Sequence, residues 1–123
     1  MRIGVDIVSV SRIAHSLSIS TSFASRVFAT AEREQAGKMP EYRAHEFLAG
    51  RFAVKEAVLK SLHARLDDPI ALSDIQTITG NDGCPQLHLL ASALRASELL
   101  SLSQWQISIS HENHLAIAFV VAC

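Results

Sequence analysis

Apolar and polar positions alternate at the start of the chain. Ile3, Val5 and Ile7 interleave with Arg2, Gly4 and Asp6, which predicts a strand. Ser9 and Ser11 are both candidate caps for a short helix through Ile13 and Leu17. The Ser/Thr-rich stretch from Ser18 to Ser22 reads as a loop. Thr30 stands as an N-cap before Ala31-Glu32-Arg33, predicting a short helix to Ala36 that Gly37 closes. Beyond Pro40, only Gly50 interrupts a helical pattern from Glu41 to His63, the strongest in the chain. Asp68-Pro69 marks a loop, Asp74 to Thr79 a strand, Gly80-Asn81-Asp82-Gly83 a turn, and Gln86 to Leu89 a short return strand. Ala91 to Leu100 reads as helix. Trp105, Ile107 and Ile109 alternate with Gln106, Ser108 and Ser110, the mark of a half-buried strand. Leu115 to Val121 is apolar on both faces, so it is a central strand or an interface strand. This order of elements is α+β. With no repeat, low-complexity tract or Pro/Gly/Ser linker, residues 1–123 read as a single domain.

The long helix has an unusual wheel. At about 100° per residue, Phe47, Leu48, Val54, Val58, Leu59 and Leu62 share one broad arc. Arg51 and Lys55 fall inside that arc, while Glu56 and Lys60 lie together on the other side. A solvated helix sets its charges opposite the apolar stripe. Two cations within the stripe need an anion, a partner chain or a snorkelling route to water. The plainest alternative is snorkelling together with a surface Glu56–Lys60 pair.

Composition adds bounds. A chain of 123 residues with 49% apolar and 19% charged residues can bury a core and is not a disordered segment. The net charge of −1 gives no bulk attraction to nucleic acid or to an anionic membrane. Cys84 and Cys123 form no C-x-x-C pair, which argues against a zinc ribbon or thioredoxin-like site. The first residues do not form a signal peptide, and no apolar run reaches about 18 residues, so a soluble cytoplasmic protein is expected.

Two places carry candidate chemistry. Asp6 stands on a strand beside Gly4, whose lack of a side chain leaves room for an approaching group. With a helical Glu56 it would supply two hard oxygen ligands, which suits magnesium bound jointly with substrate phosphates. The competing reading has Asp6 capping a turn or pairing with Arg12. Ser108-Ile109-Ser110-His111 ends a strand, where hydroxyls and an imidazole can hold a phosphate or face solvent as turn residues. Ser110 and His111 are adjacent and point to opposite faces, so a Ser-His hydrolase pair is disfavoured. The other histidines, His15, His45, His63, His88 and His114, show no metal-ligand spacing. Neither a Walker A loop nor a G-x-G-x-x-G motif is present.

Taken together, Ile3-Gly4-Val5-Asp6-Ile7, the run Glu46-Phe47-Leu48-Ala49-Gly50-Arg51-Phe52-Ala53-Val54-Lys55-Glu56-Ala57 with Lys60, and Trp105 followed by Ser108-Ile109-Ser110-His111 resemble the holo-[acyl-carrier-protein] synthase family of small 4′-phosphopantetheinyl transferases. Arg12-Ile13, Phe23 with Arg26, Glu32, Asp74-Ile75 and Gly83-Cys84-Pro85 extend the likeness over nearly the whole chain. The resemblance implies the family's fold, a small antiparallel sheet packed with one long helix and several short ones, in a homotrimer with active sites at subunit interfaces. It implies transfer of 4′-phosphopantetheine from coenzyme A to a serine of apo-acyl carrier protein, as in fatty-acid synthesis. Asp6 and Glu56 would hold Mg2+, Lys60 would stabilise the leaving phosphate, and Glu56 would serve as base, directly or through a metal-bound water. Arg43, Arg51, Ser110 and His111 would contact the coenzyme. Arg12, Phe23 and Arg26 would receive the acidic carrier protein.

One departure stands out. After Lys60 the family usually has a Gly-Thr-Gly turn, where this chain reads Ser61-Leu62-His63-Ala64-Arg65. Either Arg65 supplies a charge in place of backbone donors, or coenzyme binding is weakened. The second outcome motivates the rival reading, a trimeric module that binds coenzyme A or carrier protein without turnover.

Overall fold

The computed structural model describes residues 1–65 and 68–123 of the chain. It contains β1 (Arg2–Ser9), α1 (Val10–Ile19), α2 (Phe23–Val27), α3 (Thr30–Ala36), α4 (Glu41–Ser61), β2 (Ile75–Thr79), β3 (Pro85–Leu89), α5 (Ala91–Leu99), β4 (Trp105–Glu112) and β5 (Leu115–Ala122). A 3₁₀ turn, Leu72–Asp74, replaces the start of the predicted strand at Asp74. β5 lies between β1 and β4 in a three-stranded antiparallel sheet, and β2 and β3 form a separate hairpin. The architecture is α+β, as the order of elements implies.

Local signals account for most boundaries. Ser9 caps α1, its hydroxyl accepting from the Arg12 N–H at 3.4 Å. α1 then runs on through Ser18 to Ile19, shortening the predicted loop, and the five-residue α2 was not foreseen. The cap of α3 is Ala29 rather than Thr30, and Glu32 Oε1 accepts the Ala29 N–H at 2.9 Å, half of a capping box. Gly37 keeps an ordinary helical φ of −63°, so it ends α3 without a left-handed turn.

The two faces of the sheet differ from what alternation in β1 suggests. Gly4 and Val8 point inward, whereas Ile3, Val5 and Ile7 are 60%, 49% and 58% exposed. The register sets Val5 opposite Phe119 and Ile7 opposite Ile117, and Leu115, Ile117 and Phe119 are exposed too. Across β1 and β5 this face is an apolar surface in the isolated chain, and β4 adds the polar Gln106, Ser108 and Ser110 beside it. The inner face carries small residues, among them Ala116, Ala118, Val120 and Ala122, all buried. α4 lies directly on it. A Cβ at Gly4 would stand 1.9 Å from the Ala57 carbonyl oxygen, so the space beside Asp6 belongs to the helix backbone and not to a ligand.

From Phe47 to Val58 every residue of α4 except Glu56 is buried, as expected of a helix covered on all sides. Its first half packs with Val8, Val10, Ile13 and Phe28, and its second half with Ile75, Ala93, Val120 and Ala122. α4 thus joins two apolar clusters while carrying charged residues along its length.

Candidate functional site

The Gly4–Ala57 contact determines which side chains meet. It holds α4 against β1, so Glu56 comes beside Asp6, and Lys60 follows one turn later. Lys60 Nζ donates to Asp6 Oδ1 at 2.9 Å and to the Val5 carbonyl at 3.0 Å. Asp6 therefore pairs with Lys60, neither capping a turn nor pairing with Arg12, and Lys60 does not form the surface pair with Glu56. Partial burial pushes the Glu56 carboxyl above the usual glutamate range, and the negative charge of Asp6 adds to the rise. Lys60 and Arg12 act in the opposite direction. Arg12 lies over the Phe52 ring, 5.8 Å from its centroid, on the same flank. The fold thus gathers Asp6, Glu56, Lys60 and Arg12. Beside them opens a groove of about 280 Å³ lined by Glu56, Lys60, Arg65, Asp68 and apolar side chains.

A second constellation lies toward the start of α4. Arg43 pairs with Glu46 at 2.7 Å, and His111 Nε2 is 3.0 Å from the Glu46 carbonyl. Gly50 makes this approach possible, since a Cβ there would come within 3.0 Å of His111 Nε2. Ser110, next along the strand, lines a shallow groove of about 370 Å³ together with Ile7, Ile117 and His111 itself. Glu46 and Glu56 are ten residues apart on α4, roughly 15 Å at the α-helical rise. Within one chain, the Arg43–His111 group is therefore well separated from Asp6 and Glu56.

Arg51 and Lys55 find their partners inside the chain. Lys55 Nζ is fully buried, donates to Glu32 Oε1 at 2.7 Å and to the Leu72 carbonyl at 3.0 Å, and also reaches the Ile75 carbonyl. Burial lowers the Lys55 pKa, and the charge of Glu32 offsets part of that. Glu32 Oε2 accepts the Thr77 N–H at 3.0 Å. The anion that Lys55 needs is thus Glu32 of the same chain, and neither a neighbouring subunit nor a phosphate is required. Arg51 is 5% exposed, donates to Thr79 Oγ1 at 2.7 Å, and stacks on Phe47 at 3.7 Å. Burial brings its pKa down to about 10. Its Nε has no partner among the described residues.

Of the three residues assigned to carrier docking, Arg12 and Arg26 are exposed, while Phe23 is half-buried and stacks on Phe28 with centroids 6.0 Å apart. Arg12 adjoins the carboxylates, whereas Phe23 and Arg26 lie on α2. Sequence reasoning placed Glu46 in the family run without giving it a role, and it is Glu46 that links Arg43 to His111. Its spacing of three from Arg43 was an available signal. Thr79 was overlooked, and no local pattern connects it to Arg51. Among the described residues no third His, Cys, Asp or Glu joins Asp6 and Glu56, and no helix is long and apolar enough to cross a membrane.

A family profile described as the 4′-phosphopantetheinyl transferase superfamily matches residues 2–120. A holo-[acyl-carrier-protein] synthase of Geobacillus kaustophilus is 38% identical over 119 residues, covering 97% of this chain and 85% of that protein. The crystal structure of a Bacillus anthracis holo-(acyl-carrier-protein) synthase in complex with CoA (3′,5′-ADP) superposes with a TM-score of 0.81 at 30% identity, covering 98% of this chain and 94% of that one. The holo-[acyl-carrier-protein] synthase of Neisseria meningitidis superposes with a TM-score of 0.86 at 28% identity, covering 98% and 96% of the two chains.

Proposed function

The chain belongs to the 4′-phosphopantetheinyl transferase superfamily, and from that membership we propose that it transfers 4′-phosphopantetheine from coenzyme A to a serine of apo-acyl carrier protein. The products are holo-acyl carrier protein and 3′,5′-adenosine bisphosphate. The observation that carries this reading is the meeting of Asp6, Glu56 and Lys60 beside an open groove, in a chain similar over nearly its full length to synthases of that name. We assign the work to the cytoplasm, in keeping with a phosphorylated coenzyme and a small acidic protein as substrates.

In this reading the acceptor serine Oγ attacks the phosphorus nearest pantetheine. The phosphorus–oxygen bond to the adenosine half breaks, and 3′,5′-adenosine bisphosphate leaves with the electron pair. Lys60 Nζ has two donors engaged by Asp6 and the Val5 carbonyl, which leaves a third for the oxygen that gains charge. We assign acceptance of the serine hydroxyl proton to Glu56, directly or through an intervening water, a task that suits a carboxyl whose pKa is raised by burial and by Asp6.

The donor set also fits magnesium. Asp6 and Glu56 are hard oxygen ligands, their mutual repulsion is what a cation would relieve, and with no third His, Cys, Asp or Glu beside them among the described residues, water and substrate oxygens would complete the set. When bound, the ion would offset negative charge on the pyrophosphate.

We place Arg43, Arg51, Ser110 and His111 at the coenzyme, contributed by a second copy of the chain in a homotrimer. Two features support that arrangement. The Arg43–His111 group is roughly 15 Å along α4 from Glu56, and the outer sheet face bearing Ile3, Val5, Ile7, Ile117 and Phe119 is uncovered in the isolated chain. Arg51 would have to turn from Thr79 to reach a ligand. Light scattering that reports a stable monomer at micromolar concentration would remove the shared site. Acidic carrier protein would dock at Arg12, with Phe23 and Arg26 on α2 extending the contact. Arg12→Glu should then raise KM for the carrier, less so at high salt, and spare coenzyme affinity.

The deciding experiment incubates the protein with coenzyme A, magnesium and apo-acyl carrier protein, then weighs the carrier. A mass gain of one phosphopantetheine, lost in Asp6→Ala and Glu56→Ala variants that remain folded, supports the transferase. An unchanged carrier mass with coenzyme A binding retained supports the non-catalytic module instead.

A further inference from the structure

The chain reverses direction at the end of α4 through a closed turn. His63 takes a left-handed φ of 55°, its N–H donates to the Lys60 carbonyl at 3.1 Å, and the Ala64 N–H donates to the Leu59 carbonyl at 3.0 Å. This is the Schellman pattern, with histidine where glycine is usual. The next N–H, that of Arg65, donates to Asp68 Oδ2 at 2.6 Å. Three consecutive backbone donors are thus consumed within the turn, and none remains for an anion in the adjoining groove. The reversal brings Arg65 back alongside the last turn of α4, where it lines the same 280 Å³ groove as Glu56 and Lys60.

The charges in that groove make Arg65 more than a bystander. Lys60 already shares its charge with Asp6, and Glu56 and Asp68 add negative charge to the walls. A diphosphate entering here meets more carboxylate than uncommitted cation. Arg65 is exposed, and among the described residues no carboxylate lies within 4.0 Å of its guanidinium. Its planar fork can grip two phosphate oxygens at once.

We propose that Arg65 is the side chain that meets a phosphate of coenzyme A in this groove, doing what backbone N–H groups cannot do because the turn has used them. The proposal rests on the transferase reading given above. The test titrates wild type, Arg65→Lys and Arg65→Ala with coenzyme A, without carrier protein, by calorimetry at two salt concentrations. Arg65→Ala should bind about tenfold more weakly, the effect of losing one charge-assisted hydrogen bond. Arg65→Lys should fall between, because it keeps the charge and loses the fork. The salt dependence of binding should be shallower in Arg65→Ala. All three should melt alike, since Arg65 is exposed. Binding by Arg65→Ala within about twofold of wild type would overturn the proposal, as would a raised KM for carrier protein with coenzyme A affinity intact. A parallel transfer assay on wild type separates the two readings. A wild type that binds coenzyme A without modifying the carrier removes the transferase and leaves Arg65 standing. One that transfers normally while Arg65→Ala binds undiminished removes Arg65 alone.

Discussion

Two lysines five residues apart on α4 each hold a carboxylate, at 2.7 Å for Lys55–Glu32 and 2.9 Å for Lys60–Asp6. By distance the pairs are alike. By surroundings they are opposites. The Lys55–Glu32 pair has both side chains fully buried, and every donor on Lys55 and both Glu32 oxygens are engaged by the chain itself. The Lys60–Asp6 pair opens on a groove, with a third charge, Glu56, held nearby at a raised pKa. A closed and satisfied pair fixes architecture, because it ties α3, α4 and β2 together. An open pair with surplus negative charge keeps capacity for a ligand. Charge on this helix therefore marks scaffold in one case and chemistry in the other, and the partners decide which.

The most severe break in this contrast is Lys55→Met. It leaves Glu32 buried without its cation, and the Leu72 and Ile75 carbonyls without their donor. Urea denaturation should show a loss of about 3–5 kcal/mol. The double change Glu32→Gln with Lys55→Met should recover most of that, because two neutral groups carry no desolvation penalty of this size. A double variant no more stable than the single would remove the ion-pair account of Lys55.

The matching change at the open pair should divide differently. Lys60→Met should alter stability by no more than about 1 kcal/mol, since its side chain is 55% exposed. Transfer should nevertheless fall by about 100-fold or more, the usual effect of losing a group aimed at developing charge. Equal damage to stability in Lys55→Met and Lys60→Met would erase the distinction between scaffold and site.

The finest test follows the proton on Glu56. Its folded-state pKa is raised, first by burial and then by Asp6. The folded chain thus holds that proton more tightly than the unfolded chain does. The stability this group contributes is complete below the ordinary glutamate pKa and declines as pH rises through the raised value. Asp6→Asn should lower the Glu56 midpoint in a carboxyl carbon NMR titration, and Lys60→Met should raise it further. Added magnesium should lower it in wild type. A midpoint indifferent to all three would separate Glu56 from the Asp6–Lys60 pair.

Much of this was legible in the sequence, and the failures share a cause. The long helix, the β2–β3 hairpin and the last two strands follow from local periodicity and turn residues, and the structure places them within a few residues of the expected ranges. Asp6 and Glu56 could be singled out as paired hard-oxygen carboxylates on a strand and a helix, whereas Lys60 gained its role only from the family resemblance. What could not be read locally was the direction in which each face points. Alternation in β1 marks two faces without naming the inner one, and only the close approach of Ala57 to Gly4 decides it. The partner of Lys55 was hidden in the same way, because Glu32 lies 23 residues away on a helix whose packing no periodicity reports. α2 is only five residues long and follows directly on the Ser/Thr-rich stretch that reads as loop, so its N-cap Ser22 does not stand out from that run.

The pairing of β1 with β5 also sets a timetable for the growing polypeptide. Ser9 faces Leu115 and Arg2 faces Ala122, so the first strand waits for more than a hundred later residues before its neighbour exists. At roughly 5–20 residues per second of synthesis, that delay is on the order of 5–20 s. Throughout it, Ile3, Val5 and Ile7 belong to an unpaired edge that any other nascent chain could capture. The helix segments translated in between can fold locally, while the sheet that carries Asp6 closes last. A ribosome-bound intermediate of this protein should therefore be helical before it is competent.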